Sequence, residues 1–170
     1  MFFSDPPLLV FRRDKNIRES LVRSRIQTNF TPGTFPCNHP RCLSCRHLST
    51  TTVLKTPLSS ISINDSFTCS SRNVIYALLC IRCNKVYIGE TGRTLGTRFR
   101  EHRRDVLNHA PKPVPTHFLS EGHHGISDMS ILGIKSLNCG SRERFSLEQR
   151  LISEHGTLHP RGINAQHCYT

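Results

Sequence analysis

Residues 73–79 (NVIYALL) and 85–89 (KVYIG) are two apolar, β-rich runs separated by the five residues CIRCN. Runs of this length, rich in Val, Ile and Tyr around a turn-length insert, predict a β-hairpin. Thr94–Leu107 then reads as a helix, with Leu95, Phe99 and Val106 near one face and arginines crowding the others. Pro111, Pro113 and Pro115 predict a loop after it. Ile131–Leu137 suits a third strand, and Ser141 can cap a helix running to His155 with Gly156 as its stop. The order β-β-α-β-α, with the first two strands antiparallel, is an α+β arrangement. No internal repeat is present.

Upstream of the hairpin the pattern weakens. Residues 1 to about 30 hold a short apolar start and a basic segment, Ile17–Gln27, with Ile17, Leu21 and Ile26 at near-helical spacing. Residues 31–71 are rich in Pro, Ser and Thr, show no convincing period, and carry Cys37, Cys42, Cys45 and Cys69. Such a stretch needs a staple to become ordered. The expected organisation is a basic, loop-rich, Cys-containing extension over 1–71 and a folded domain over 72–170.

A formal net charge of +11 in 170 residues is the footprint of a polyanion-binding protein, and nucleic acid is the first polyanion to consider. The basic residues do not form one juxtamembrane block, and no stretch approaches the ~20 apolar residues of a membrane span. The start, MFFSDPPLLVFRR, lacks a positive segment ahead of an apolar run, so no secretory signal is predicted. In a reducing compartment, clustered cysteines point to metal before disulfides.

Two sets of cysteines have ligand spacing. Cys80-x-x-Cys83 falls in the hairpin turn, where a zinc knuckle needs a second pair for tetrahedral closure. His117 and His123 are the chosen partners, with His124 able to replace His123. Cys37, Cys42 and Cys45 form a second set whose fourth ligand is Cys69 or a nearby histidine, His39 or His47.

A different group of residues suits phosphodiester chemistry. Tyr76 and Tyr87 lie one on each strand of the hairpin, and Arg98 and His102 share a helical face at i and i+4. Glu148 sits mid-helix and Asn164 near the end. Singly these are packing tyrosines, a solvated Arg/His face and a glutamate paired with Arg144 at i−4. Together they supply a carboxylate for a divalent ion, a guanidinium for phosphate oxygens, and phenols or an imidazole to move protons.

Ile75-Tyr76, Tyr87-Ile88-Gly89, Arg98-x-x-x-His102, Glu148-x-x-Leu151-Ile152 and Gly162-Ile163-Asn164 resemble, in this order, the motifs of the GIY-YIG nuclease superfamily. Val74 replaces the first glycine of the name motif, and Leu151 stands where a tryptophan is common. The CxxC within the hairpin, the later histidine pair and the string VIYALLCIRCNKVYIGETGRTLGTRFREH resemble the endonuclease domain of Penelope-like retroelements, as does LVFRRDKNIRESLVRSRI upstream. There the domain follows a reverse transcriptase, for which this chain has no room.

The resemblance implies a small antiparallel three-stranded sheet flanked by helices, and a divalent-metal-dependent DNA endonuclease. Glu148 would hold Mg²⁺ or Mn²⁺, and Tyr76 would be the general base, with Tyr87 as the other choice. Arg98 would stabilise the phosphoryl group, Tyr87 and His102 would orient water or relay the proton, and Asn164 would brace the site. Arg93, Arg100, Arg103 and Arg104 are expected to grip the DNA backbone without reading sequence. Structural Zn²⁺, no membrane partner and a nuclear or intracellular location complete the expectation. Two other classes compete: a zinc-stapled nucleic-acid-binding module without cleavage, and a thiol-redox or zinc-only structural protein without DNA affinity.

Overall fold

The computed structural model describes residues 31–138 and 140–165. The helix expected over Ile17–Gln27 lies outside the described residues. Four short strands come first: β1 (Gly33–Phe35), β2 (Val53–Lys55), β3 (Ser60–Ser62) and β4 (Ser66–Thr68). They are followed by β5 (Val74–Cys80), β6 (Val86–Thr91), α1 (Leu95–Leu107), α2 (Pro113–Phe118), β7 (Met129–Ser136) and α3 (Ser141–His155). This is a mixed α+β fold.

The central sheet has the order β6-β5-β7, antiparallel throughout. Its middle strand, VIYALLC, is buried at every residue except the half-buried Leu79. A strand apolar on both faces needs cover on both, which its unbroken hydrophobic run anticipates. Asn84, in the left-handed region at φ 60°, turns the chain between β5 and β6. Asparagine tolerates that conformation where β-branched residues do not.

Thr94 starts α1 by accepting a hydrogen bond from the Thr97 amide at 3.1 Å. The helix buries Leu95, Phe99, His102 and Val106, so His102 belongs to its inward stripe. Gly156, at φ 64°, ends α3 as expected of a left-handed cap. The residue flanking α3 at its start is Gly140, so Ser141 is the first helical residue and not the cap.

Two expectations are corrected. Pro113 and Pro115 do not enforce an open loop: Pro113 opens the six-residue α2, where its fixed φ and missing N–H are no penalty. Residues 31–71 are also more than a connector. β1 pairs in parallel with β4, β2 pairs antiparallel with β3, and Leu54, Ile61, Ile63 and Phe67 are buried in the main core. Phe67 lies directly over Gly133 of β7, where an added Cβ would come within 2.3 Å of the ring. Thr34 Oγ1 accepts from the Gly133 amide, and the Cys69 carbonyl accepts from the Gly96 amide. Among the described residues, those on either side of 71/72 belong to one compact unit. Among the described residues no helix is long and apolar enough to cross a membrane.

Candidate active site and metal sites

Tyr76 stands opposite Gly89 in the β5–β6 register. Its ring crosses β6 at that glycine: a Cβ at position 89 would lie 2.6 Å from the Tyr76 hydroxyl and 2.8 Å from the Tyr87 ring. The absence of a side chain at 89 therefore lets the phenol reach α1. There its oxygen accepts a hydrogen bond from Arg98 Nε at 2.8 Å and lies 2.7 Å from His102 Nε2. Burial and the nearby Arg98 push His102 down to about 3, so its ring is neutral near pH 7 and can accept a hydrogen bond from the Tyr76 hydroxyl.

Arg98 also reaches Glu101, with Nη1 3.1 Å from Oε2, and Arg93 approaches the same carboxylate. Burial opposes the Arg98 charge, but Tyr76 and Glu101 more than offset it and hold the guanidinium more firmly protonated than usual. Its direction in space is thereby fixed from two sides.

Tyr87, Arg98, His102, Glu148 and Asn164 line one cleft of about 270 Å³. They come from β6, α1, α3 and the closing segment. Tyr76 is fully buried and does not line this cleft. It sits beneath the cleft, with its ring 6.3 Å from that of Tyr87 and 5.8 Å from that of His102. Burial raises the Tyr76 hydroxyl well above its ordinary range and outweighs the opposing pull of Arg98. Tyr87 is raised by burial and by the Glu148 charge. For both phenols desolvation is a larger effect than the pull of Arg98.

Glu148 is pushed up to about 7, by burial first and then by the neighbouring Glu90 carboxylate. Arg144 donates from Nε to Glu90 at 3.0 Å, a contact that the i−4 spacing to Glu148 does not suggest. Asn164 braces β6 through its carboxamide: Oδ1 accepts from the Ile88 amide at 2.9 Å, and Nδ2 donates to the Ile88 carbonyl at 2.7 Å. Gly162 permits this return, since a Cβ there would lie 2.1 Å from the Thr157 carbonyl oxygen.

Among the described residues, sequence reasoning missed Glu101, Glu90, Asp105 and Lys112. Glu101 was findable, being i+3 from Arg98 on the helix. Lys112, bonded to Asp105 at 2.8 Å on the cleft wall, was hidden by the proline-rich reading. None of Arg93, Arg100, Arg103 or Arg104 lines the cleft. Arg93 and Arg104 are exposed, Arg103 is half-buried, and Arg100 borders a separate hollow beside Cys37, Cys42 and Cys69.

Two quartets have ligand atoms all within 4.8 Å of one another: Cys37, Cys42, Cys45 and Cys69, and Cys80, Cys83, His117 and His123. Each could hold a metal ion. In the first, Cys45 Sγ lies 3.6 Å from Cys37 Sγ and 3.5 Å from Cys69 Sγ. Four sulfurs around one Zn²⁺ at ~2.3 Å would stand roughly 3.8 Å apart, whereas a disulfide would bring a pair to ~2.05 Å. His47 is otherwise engaged, with Nδ1 3.1 Å from the Met129 carbonyl and its ring against Phe99.

In the second quartet, His117 Nε2 is 3.5 Å from Cys83 Sγ. Burial, assisted by the charges of His123 and Lys85, pushes His117 down to about 4, leaving the neutral ring that binds metals. His123 Nδ1 is held by Ser120 and the Glu121 carbonyl, while its Nε2 is buried without a hydrogen-bond partner among the described residues. One ring nitrogen oriented and the other unspent is the usual state of a ligand histidine. His124 instead faces Asp128.

No family model matches the chain, and no curated protein matches it. Among solved structures it is similar to the catalytic domain of the homing endonuclease I-TevI. The likeness covers 55% of this chain and 98% of that one at 18% identity, with a TM-score of 0.47. A likeness of that degree decides nothing about chemistry; the side chains must.

Proposed function

We propose that this protein is a divalent-metal-dependent nuclease that hydrolyses DNA phosphodiester bonds, of the GIY-YIG type and derived from a Penelope-like retroelement. The observation that carries the reading is the convergence of Tyr87, Arg98, His102, Glu148 and Asn164 on one small cleft. A packing role for each would not require a carboxylate, a guanidinium, a phenol and an imidazole to face the same space.

The donor set fits a divalent ion. Glu148 is a half-buried carboxylate destabilised by burial and by Glu90, and a cation would relieve both effects. One carboxylate with room for water suits Mg²⁺, which keeps much of its hydration. When bound, the ion would polarise the scissile phosphate. Arg98, positioned by Tyr76 and Glu101, would stabilise charge growing on the phosphoryl oxygens.

Tyr87, not Tyr76, faces the substrate in this reading, and its hydroxyl would orient the attacking water. Tyr76 is a positioning residue that holds Arg98 and His102. Both metal quartets would hold structural Zn²⁺. A reverse transcriptase domain would be the partner in a longer element.

The decisive test is plasmid nicking with Mg²⁺. Glu148→Ala and Arg98→Ala should each lower the rate by about 10²-fold or more. Nicking that survives Glu148→Ala in clean protein would overturn the mechanism, whereas wild-type protein that never nicks but still binds DNA would be a non-catalytic, zinc-stapled binding module. Tyr87→Phe should cut turnover while leaving thermal stability unchanged. Tyr76→Phe should also cost roughly 1–3 kcal/mol of stability, because the Arg98 Nε donor loses its partner in a buried setting.

A further inference from the structure

The cleft does not end at its own wall. A hollow of about 530 Å³ shares Lys112, Pro113 and Ala165 with it. A second hollow, of about 710 Å³, shares Lys85 with the first. Outward from the cleft the positive side chains run Lys112, then Lys85, then Arg161 and Lys55. Thr116, Ser120 and His159 stand between as hydrogen-bonding groups.

Among the described residues, neither hollow is lined by an Asp or a Glu. That is a one-sided charge in a chain with 12 acidic residues. The hollow on the outer side of α3 shows the contrast, since Glu143 stands there between Arg142 and Arg150.

The lining also says which part of a polyanion fits. Neither hollow offers a Phe or Tyr ring on which a base could stack. What repeats is positive charge and short polar side chains, which suits phosphates and sugars rather than bases.

The Cys80–Cys83–His117–His123 quartet stands between the two hollows. His117 lines the first and Cys83 the second, and their ligand atoms are 3.5 Å apart. Lys85 is tied to the same turn, its carbonyl accepting from the Cys80 amide at 3.0 Å. That backbone bond holds Lys85 beside the quartet.

We propose that the two hollows form a track for the sugar–phosphate backbone of the nucleic-acid strand whose scissile phosphate occupies the cleft. The track rests on the nuclease reading only for what fills the cleft.

The test is binding of the full chain to a short fluorescent DNA duplex without added Mg²⁺, measured across a salt series. A Lys55→Gln, Lys85→Gln, Arg161→Gln variant is compared with wild type and with an Arg142→Gln, Arg150→Gln control. Each lost phosphate contact removes about 0.9 from the slope of log affinity against log salt. The triple variant should lose about 2–3 from that slope and bind at least about tenfold more weakly, with the control unchanged.

An unchanged slope in the triple variant, or an equal loss in the control, overturns the track. If Lys85→Gln lowers zinc content, the Lys55→Gln, Arg161→Gln pair carries the test, with an expected loss of about 1–2 in slope. The two ideas fail separately. Slope loss in a protein that never nicks keeps the track and sinks the nuclease, whereas nicking with an unchanged slope does the reverse.

Discussion

The two metal quartets have the same outline and sit in opposite surroundings. The all-cysteine set gathers residues 37, 42, 45 and 69 from a region whose regular structure consists of three-residue strands and one short turn of helix. The Cys₂His₂ set joins elements that are already anchored. β5 is buried along nearly its whole length, and α2 buries Val114, Pro115 and Phe118. A metal in the first place would add to the few core contacts of Leu54, Ile61, Ile63 and Phe67, and in the second it would fix the relation between parts that pack on their own. The difference teaches that ligand geometry alone does not say how much of a fold depends on it.

The comparison breaks or sharpens under four measurements. The largest effect is expected from Cys42→Ser with Cys45→Ser. Stability should fall by about 4–5 kcal/mol or more, as loss of a structural metal can cause. Trypsin should then cut at Arg41 and Arg46, read by mass spectrometry, and zinc per chain should fall from two to one. Phe67→Ala comes next, at about 3–5 kcal/mol, because it empties the contact over Gly133. If Phe67→Ala proves the more damaging of the two by thermal denaturation, the extension is held by packing and the contrast fails.

Cys80→Ser with Cys83→Ser should also remove one zinc, with a smaller loss of stability confined to the hairpin turn and α2. Hydrogen exchange should show protection lost there and retained in β5. The smallest change is Thr94→Ala, which removes the cap of α1 at about 1 kcal/mol. Cys69 and Ser44 touch the same helical turn through Gly96, so the loss should grow once the first metal is stripped by a chelator.

What the sequence made legible is what periodicity and end signals can carry. The hairpin strands, α1 with its cap, α3 with its glycine stop and most members of the two quartets follow from runs, spacings and capping residues. Spacing left Cys69 competing with His39 and His47, and His123 with His124. Strands of three residues are too short to display a period, so the pairings around Phe67 stayed hidden in a Ser/Thr-rich stretch. α2 was hidden by its own prolines, which break helices in most places and start them in one. Which tyrosine lines the cleft was hidden because burial is a property of the packed sheet. Which phenol meets solvent depends on Gly89 letting one of them pass beneath the other.

The closing segment also occupies an open side of the sheet. A three-stranded sheet has two open sides, each a row of amide and carbonyl groups on which another chain could align. On the β6 side, Ile163 donates its amide to the Val86 carbonyl, and the Asn164 carboxamide meets both backbone groups of Ile88, as a paired strand would. On the β7 side, Ser49 and Thr34 do the same for Ile131 and Gly133. The closing segment on one flank, and Ser49 with Thr34 of β1 on the other, thus occupy backbone groups that a further strand would need, and Asn164 does so while also facing the cleft.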